Sequence, residues 1–203
     1  MTLWRGPDPL ILASQSRARQ MLLANAGLKF EAIPADVDER AVQETSGLST
    51  PSEIAALLAR EKALAVSRAR SRSMVIGADQ TLALEKRLFT KPADRAQALA
   101  QLGALAGRSH ELHSAVAVAR DGKIVFETVA VARLTMRRLS EAAIAAYLDE
   151  AGETVVTSSV GAYQLEGLGV HLFERIEGDH FTILGLPLLP LLDFLRSQHL
   201  LAV

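Results

Sequence analysis

Residues 11–23 have the sequence ILASQSRARQMLL, and this stretch decides how the fold begins. Its apolar start predicts a short buried strand over Leu10–Ala13. Ser16 is of a residue type that caps helices, so the stretch predicts a helix from there to about Ala26. Gly27 follows directly and is the expected helix stop. The stretch therefore predicts a strand that runs straight into a helix.

The junction between this strand and helix is rich in hydroxyl groups and positive charge, which come from Ser14, Ser16, Arg17 and Arg19. The first turn of a helix has unpaired N–H groups and a partial positive charge. Hydroxyl and guanidinium donors at that point make up the parts of a phosphate-binding site. The glycines and the Gly-Lys-Ser/Thr ending of a Walker A loop are absent. An ordinary serine cap with solvated arginines is the alternative interpretation.

The composition of the 203 residues limits the classes of protein to consider. The chain is 49% hydrophobic and 22% charged, which argues against a disordered chain. Its net charge of −1 gives no general attraction to nucleic acid or to anionic membranes. The chain has no cysteine, which excludes disulfides, thiolate catalysis and cysteine-bound zinc.

The sequence also lacks the patterns of a signal peptide and of a membrane span. The N-terminal apolar run is short and follows a Pro-Asp-Pro break at residues 7–9. The most apolar stretch, residues 183–195, contains two prolines and an aspartate and falls short of the roughly 20 residues that a span needs. We therefore expect a cytoplasmic protein.

Helix and strand signals alternate along the chain. Thr50-Pro51-Ser52-Glu53 combines an N-cap, a proline at the first helical position and a capping box, which predicts a helix to about Arg70. The polar residues 36–50 before it predict a loop. Ser73–Ile76 predicts a buried strand that breaks at residues 77–80 and then resumes.

The second half of the chain adds a hairpin, because Asp121-Gly122 separates two stretches with a period of two. We also predict helices over Pro92–Leu105, over Ser140–Glu150 and from about Pro187, and strands near Ala162 and over Val170–Ile176. These patterns predict a single domain over residues 1–203 with an α/β fold, in which a mixed sheet is bent into two lobes around a cleft.

Carboxylates occur after two of the predicted strands. Asp36, Asp38 and Glu39 fall in the predicted loop after a second predicted strand over Lys29–Ile33, and such hard ligands suit magnesium or manganese. A solvated acidic turn is the alternative. Asp79 ends the sequence VIGAD, where a rigid strand aims the side chain. Its carboxylate can hold a metal or activate water, unless it is an ordinary turn aspartate.

Two lysines complete the set of candidates. Lys62 lies one helical turn from Leu58 and Ala65, so it either borders a cleft or is solvated. Lys91 directly precedes the helix predicted from Pro92, where a cation opposes the helix dipole unless an anionic ligand is bound. Cations and carboxylates at element junctions are the mixture that a nucleoside triphosphate and its metal require.

The candidate residues occur in motifs that follow one another in the order of a known family. The chain resembles the Maf, or septum-formation-inhibitor-like, nucleotide pyrophosphatases from about Leu10 to Leu195. The matching stretches are LILASQSRARQMLL, FEAIPADVDER, LAREKA, VIGADQT, TKPAD, GRSHELHSAVAV, GAYQLEGLG, FERIEGD and ILGLPLLPLL.

This resemblance implies an elongated α/β fold with a deep cleft and, in most members, a homodimer. It also implies hydrolysis of nucleoside triphosphates between the α and β phosphates with a divalent cation (Mg, Mn or Co), and no nucleic-acid or membrane partner. Carried over by position, it implies Asp79 as the proton acceptor, Ser14, Ser16, Arg19, Lys62 and Lys91 as triphosphate-binding residues, and Glu39 and Asp79 as metal ligands.

The resemblance further associates Ala18, Gln80 and Glu166 with substrate choice. Gln80 and Glu166 resemble the branch that acts on 7-methyl-GTP, and a glutamate can accept hydrogen bonds from the N1–H and the amine of a guanine-type base. Arg17 departs from the proline that the family carries at its position. A dTTP/UTP pyrophosphatase, a phosphatase that releases orthophosphate and a non-catalytic nucleotide-binding regulator of cell division are the alternatives.

Overall fold

The structure is a computed structural model that describes residues 3–203. Within these residues the chain forms seven strands: β1 (Leu10–Leu12), β2 (Phe30–Ala32), β3 (Met74–Leu84), β4 (Arg87–Phe89), β5 (Ser109–Arg120), β6 (Lys123–Met136) and β7 (Phe173–Glu177). They form one sheet in the order β2-β1-β3-β5-β6-β7, and β4 also pairs with β3. β1 is parallel to both of its neighbours, whereas β4 and β7 are antiparallel to theirs. The predicted α/β fold with a mixed sheet is therefore confirmed.

Helices flank this sheet and alternate with the strands along the chain. In the described part of the chain they are α1 (Arg17–Asn25), α2 (Glu39–Ser46), α3 (Pro51–Ala69), α4 (Arg95–Leu105), α5 (Glu141–Ala151), α6 (Glu153–Ser158), α7 (His180–Ile183) and α8 (Leu188–Ser197). Two short 3₁₀ helices span Val160–Ala162 and Leu168–Leu172. Across residues 3–203, none of the helices has the length and apolarity that crossing a membrane requires.

The chain divides into two compact units, each with its own buried side chains. The first unit contains residues 3–80, 114–130 and 180–203, and the second contains residues 81–113 and 131–179. The core of the first unit includes Leu10, Leu12, Leu22, Leu23, Ile76, Val116, Val118, Leu191 and Leu195. Buried residues of the second unit include Leu82, Phe89, Leu102, Leu105, Leu134, Met136 and Leu148. The expectations of one domain and of two lobes around a deep cleft stay predictions.

Local capping signals located several elements correctly. The hydroxyls of Ser16, Thr50 and Ser140 each accept a hydrogen bond from the backbone N–H three residues later, at 3.4, 3.4 and 3.2 Å. These bonds satisfy N–H groups that a helix start leaves unpaired. The hairpin between β5 and β6 turns at Asp121 and Gly122, whose φ angles of 51° and 71° are the left-handed pair of a two-residue turn.

The predicted loop over residues 36–50 is wrong, because α2 occupies Glu39–Ser46. Asp38 caps this helix, since its Oδ1 accepts a hydrogen bond from the N–H of Ala41 at 3.0 Å. Gly47 follows α2 in the left-handed conformation. None of the side chains of α2 is fully buried, and Ala41 and Val42 are its only apolar residues, so its sequence shows no repeating apolar stripe.

The predicted break at residues 77–80 is also wrong, because β3 continues through them to Leu84. Glycine inside a strand suggests a break, but it also occurs where another backbone approaches closely. Gly77 does not break the strand; it allows the backbone of α3 to approach β3 closely. Asp79 is consequently not at the end of its strand, although it lies just beyond the end of the neighbouring strand β1.

The elements predicted between residues 153 and 183 differ from those in the structure. Ala162 lies in a 3₁₀ helix with φ of 61°, which is incompatible with the predicted strand. β7 begins only at Phe173, because Leu168–Leu172 forms the second 3₁₀ helix. The short helices α6 and α7 carry too few residues to show a periodic pattern.

The second unit buries a histidine among aromatic side chains. His110 on β5 is 1% exposed, and its Nε2 is 2.7 Å from the hydroxyl oxygen of Tyr163. The rings of Tyr163 and Phe173 lie with centroids 5.7 and 5.9 Å from the imidazole. Within the described residues, Nδ1 of His110 has no hydrogen-bond partner. Burial therefore penalises the charged imidazolium and lowers the pKa of His110 to about 4.

We expect this histidine to make folding stability depend on pH. In the unfolded chain His110 takes up a proton near pH 6.5, whereas in the folded chain it does so only near pH 4. The unfolding free energy should therefore be largest above pH 6.5. It should fall by about 3 kcal/mol as the pH drops to 4. Denaturant unfolding of the wild type and of His110→Leu between pH 4 and pH 7 measures this difference.

The pH dependence of the two chains should differ, because the variant removes the titrating group, while loss of the hydrogen bond to Tyr163 should lower the stability of the variant at all pH values. His171→Gln, at an exposed histidine, serves as the control. Parallel pH profiles for the wild type and His110→Leu would contradict the assignment to His110.

Candidate active site

The candidate residues of the first unit gather where β1 ends. β1 pairs with β3 as far as Leu12, which lies opposite Ile76, and the N–H of Ala13 donates to the carbonyl of Ile76. β3 then continues past β1, so its backbone has an open edge at Ala78. Ligands of open α/β sheets bind at such carboxyl ends of parallel strands. The loop from β1 to α1 covers this edge and carries the predicted phosphate-binding residues.

Arg19 forms hydrogen bonds to three separate segments of the chain at this edge. Its Nη1 donates to the carbonyl of Ala78 on β3 at 2.8 Å, and its Nε donates to the carbonyl of Gly185 at 2.8 Å. Nη1 also lies 3.4 Å from the hydroxyl of Ser14. Burial lowers the pKa of Arg19, whereas Asp79 and Glu39 raise it, and a guanidinium stays charged at neutral pH. Within the described residues these bonds use Nε and Nη1, so Nη2 can bind an anion.

The two serines of the loop act as acceptors within the protein. Oγ of Ser14 accepts from the N–H of Ser16 at 3.2 Å, and Oγ of Ser16 caps α1. A hydroxyl that accepts hydrogen bonds still has its own proton to donate. Both hydroxyl protons are therefore available to a phosphate oxygen at the start of α1.

Lys62 on α3 forms ion pairs with two carboxylates, one on the helix α2 and one on the strand β3. Its ammonium donates to Oδ1 of Asp79 on β3 at 2.6 Å and lies 2.8 Å from Oε1 of Glu39 in the first turn of α2. The side chains of Lys62 and Asp79 are only 11% and 10% exposed, whereas that of Glu39 is 53% exposed. The sequence predictions thus meet in space, because residues 39, 62 and 79 form one charged cluster.

The environment of Asp79 favours its use as a base. Burial raises the pKa of its carboxyl and outweighs the opposing attraction of Lys62 and Arg19, and the nearby Glu39 raises it further. A general base works best when its pKa is raised toward neutral pH. Because Oδ1 accepts from Lys62, Oδ2 is the oxygen left to take a proton.

Gln80 lies next to Asp79 in β3 and is held by hydrogen bonds that the sequence did not indicate. Its Nε2 donates to Oγ of Ser114 at 2.8 Å and lies 3.1 and 3.0 Å from the carbonyls of Thr182 and Ile183. Ser114, which is fully buried, donates in turn to the carbonyl of Thr182 at 2.7 Å. These bonds orient the amide so that its oxygen points away from them.

The remaining predicted residues are placed as follows. Ala18 is half-buried in the first turn of α1. Lys91 and Glu166 are exposed and belong to the second unit, and their relation to the cluster around Lys62 stays a prediction. Lys91 does not directly precede a helix as predicted, because α4 begins at Arg95 with Asp94 as its cap. The argument from the helix dipole therefore does not apply to Lys91.

Glu39 and Asp79 are chemically suited to a divalent cation. Their oxygens already converge on one cationic group, the ammonium of Lys62. Among residues 3–203, no group of three or more histidine or carboxylate side chains is placed to hold a metal. Magnesium needs no such group, because it commonly binds through one or two carboxylates and completes its shell with water and substrate phosphates. The donor set therefore fits a cation that arrives with a nucleotide.

Comparison with known proteins identifies the family that carries these features. The chain belongs to the Maf-like protein family, whose model matches residues 9–198. The match includes every candidate residue described above.

Several relatives share most or all of the chain. It is 73% identical over 203 residues to the protein named nucleoside triphosphate pyrophosphatase from Bradyrhizobium diazoefficiens strain USDA 110, and the alignment covers 100% of both chains. A protein of the same name from Rhodopseudomonas palustris strain BisB18 is 67% identical over 202 residues, again with 100% of both chains covered. The protein named 7-methyl-GTP pyrophosphatase from Rhizobium etli strain CFN 42 is 55% identical over 191 residues, which cover 93% of this chain and 95% of the relative.

Proposed function

We propose that the protein hydrolyses nucleoside triphosphates to a nucleoside monophosphate and pyrophosphate. The observation that carries the proposal is the buried pair of Lys62 and Asp79, joined by Glu39, in the same unit as Arg19 and the serines of the α1 loop. The relatives named nucleoside triphosphate pyrophosphatase support it, since they match the whole chain.

The groups around the end of β1 have separate roles in binding the triphosphate and in neutralising its charge. Ser14 and Ser16 donate their hydroxyl protons to phosphate oxygens, and Nη2 of Arg19 binds the same anion. The ammonium of Lys62 neutralises charge that gathers on the departing pyrophosphate. We also propose that Lys91 contacts the triphosphate, although it belongs to the other unit.

In the proposed reaction, the oxygen of a water molecule attacks the α-phosphorus. A bond forms between that oxygen and the phosphorus, and the bond from the α-phosphorus to the bridging oxygen breaks. The bridging oxygen leaves with its electron pair as part of pyrophosphate. Asp79 takes the water proton at Oδ2, while Lys62 holds Oδ1 and so fixes the direction of the carboxylate.

A divalent cation is part of this proposal because of the charge balance in the first unit. Arg19 and Lys62 contribute two positive charges, and Glu39 and Asp79 contribute two negative charges, so the cluster has no net charge. A triphosphate therefore needs a further source of positive charge. One or both of Glu39 and Asp79 would hold this cation, which would supply positive charge and polarise the phosphate oxygens.

The products of the reaction test the proposal directly. Purified protein should release pyrophosphate and monophosphate from a nucleoside triphosphate when Mg, Mn or Co is present, and chelation by EDTA should stop the release. Orthophosphate as the initial product would favour a phosphatase instead. Nucleotide binding without any product would favour the non-catalytic regulator. Activity in EDTA would remove the metal from the proposal.

For the base, we propose 7-methyl-GTP or another modified nucleotide. The 7-methyl-GTP pyrophosphatase from Rhizobium etli is a relative over 93% of the chain. Glu166 is an exposed carboxylate that suits the N–H groups and the positive charge of 7-methylguanine. A panel of 7-methyl-GTP, GTP, dTTP, UTP and CTP compares kcat/KM across bases, and a preference for dTTP and UTP would overturn this choice. The homodimer and the cytoplasmic location stay predictions.

A further inference from the structure

Gly77 occupies a place in β3 where no side chain fits. A Cβ added to it would lie 2.2 Å from the carbonyl oxygen of Ala59, 2.6 Å from the backbone nitrogen of Ala63 and 2.9 Å from the Cβ of Ala63. Two of these three contacts are with the backbone of α3, which cannot rotate away as a side chain can. Gly77 therefore lets the strand touch the helix itself at this point.

Small residues extend this close approach along α3. Ala55, Ala59 and Ala63 recur every four residues, so they lie on one face of the helix. They pack against alternate alanines of β5, the neighbour of β3, at Ala115, Ala117 and Ala119. We call these six residues the alanine seam. All of them are 0–1% exposed, so a larger side chain in the seam could not turn out into solvent.

The seam lies beside the charged cluster. Lys62 directly precedes Ala63 on α3, and Asp79 lies two residues beyond Gly77 on the same face of β3. The 2.6 Å contact between Nζ of Lys62 and Oδ1 of Asp79 therefore spans the same gap between helix and strand that Gly77 keeps narrow. A helix pushed outward at Ala63 carries the ammonium away from the carboxylate.

We propose that Gly77 is a positioning residue, which sets the separation between α3 and β3 and thereby the contact of Lys62 with Asp79. This proposal rests on the proposed function, because it assumes that Lys62 and Asp79 carry out the reaction. Gly77 itself touches no substrate.

The test compares Gly77→Ala with the wild type in the pyrophosphate assay. We expect kcat to fall by about 100-fold, because misplacement of a reacting group by about 1 Å costs that much. KM should change less than kcat, since Ser14, Ser16 and Arg19 lie outside α3. Gly103→Ala is the control, because a Cβ there has no atom within 4 Å and kcat should stay at the wild-type value.

Two further variants separate positioning from general loss of stability. Ala63→Val widens the seam beside Lys62, whereas Ala55→Val widens the same seam eight residues earlier, about 12 Å along the helix. If both variants lower Tm by the same amount, we expect kcat to fall in Ala63→Val and to stay at the wild-type value in Ala55→Val. This pair also decides the matter if Gly77→Ala does not fold.

Each outcome either supports or overturns the proposal. A folded Gly77→Ala with wild-type kcat overturns it, and so do equal losses of kcat in Ala63→Val and Ala55→Val. Failure of the proposed function looks different, because the wild type itself then releases no pyrophosphate. An active wild type, an inactive Asp79→Asn and an unchanged Gly77→Ala would leave the function standing and remove only the positioning role.

Discussion

Replacement of Asp79 by asparagine is expected to lower kcat by about 1000-fold, within the range that positioned general bases contribute. Asparagine has nearly the same shape but cannot take the water proton. The fold should persist, because burial already disfavours the charged carboxylate and Glu39 still accepts the ammonium of Lys62. Pyrophosphate release at saturating nucleotide measures the loss, and thermal unfolding measures the stability.

The matched control for this variant is Asp193→Asn in α8. Asp193 is also in the first unit, but its side chain is 83% exposed and is paired only loosely with Arg196 at 3.6 Å. Its replacement should leave kcat unchanged. Near-native turnover in Asp79→Asn would remove Asp79 from the role of base, whereas loss of the folded state would show that the carboxylate is structural.

The elements that the sequence predicted well are those with strong local signals. The helix from Thr50 has a cap and a proline at its start, and the hairpin at Asp121 and Gly122 is defined by two adjacent residues. Such signals act within four residues, so they do not depend on the rest of the fold. The helix α2 has a cap too, but its only apolar residues are the neighbours Ala41 and Val42, so a pattern of apolar residues could not reveal it.

The continuous strand β3 was not predictable because its cause is distant in sequence. Gly77 is compatible with a break until the backbone of Ala59 and Ala63 is placed against it. The same limit applies to Arg19, whose main partners are backbone carbonyls of Ala78 and Gly185. Every residue has a carbonyl, so no residue type marks these acceptors in the sequence. The charged side chains 39, 62 and 79 could be named as candidates because their residue types carry the chemistry, and their roles stay predictions.

The second large effect is expected for Lys62→Met, which should reduce both stability and activity. The variant leaves the buried carboxylate of Asp79 without its ammonium, and loss of one partner of a buried ion pair costs about 3 kcal/mol. Lys62 lowers the pKa of Asp79, so the attraction exists only while Asp79 is ionised. The loss of stability should therefore be largest at high pH and should shrink as the pH falls and Asp79 takes up a proton.

Activity should fall by about 100-fold in Lys62→Met, since a group that stabilises transition-state charge is lost. The control is Arg60→Met on the same helix, because Arg60 forms an exposed pair with Glu127 at 3.4 Å that should contribute less than about 1 kcal/mol. A double-mutant cycle with Asp79→Asn isolates the coupling, because methionine beside asparagine leaves no buried charge at that contact. Equal losses in Lys62→Met with and without Asp79→Asn would show that the two side chains do not act together, and would contradict the cluster on which the proposed reaction depends.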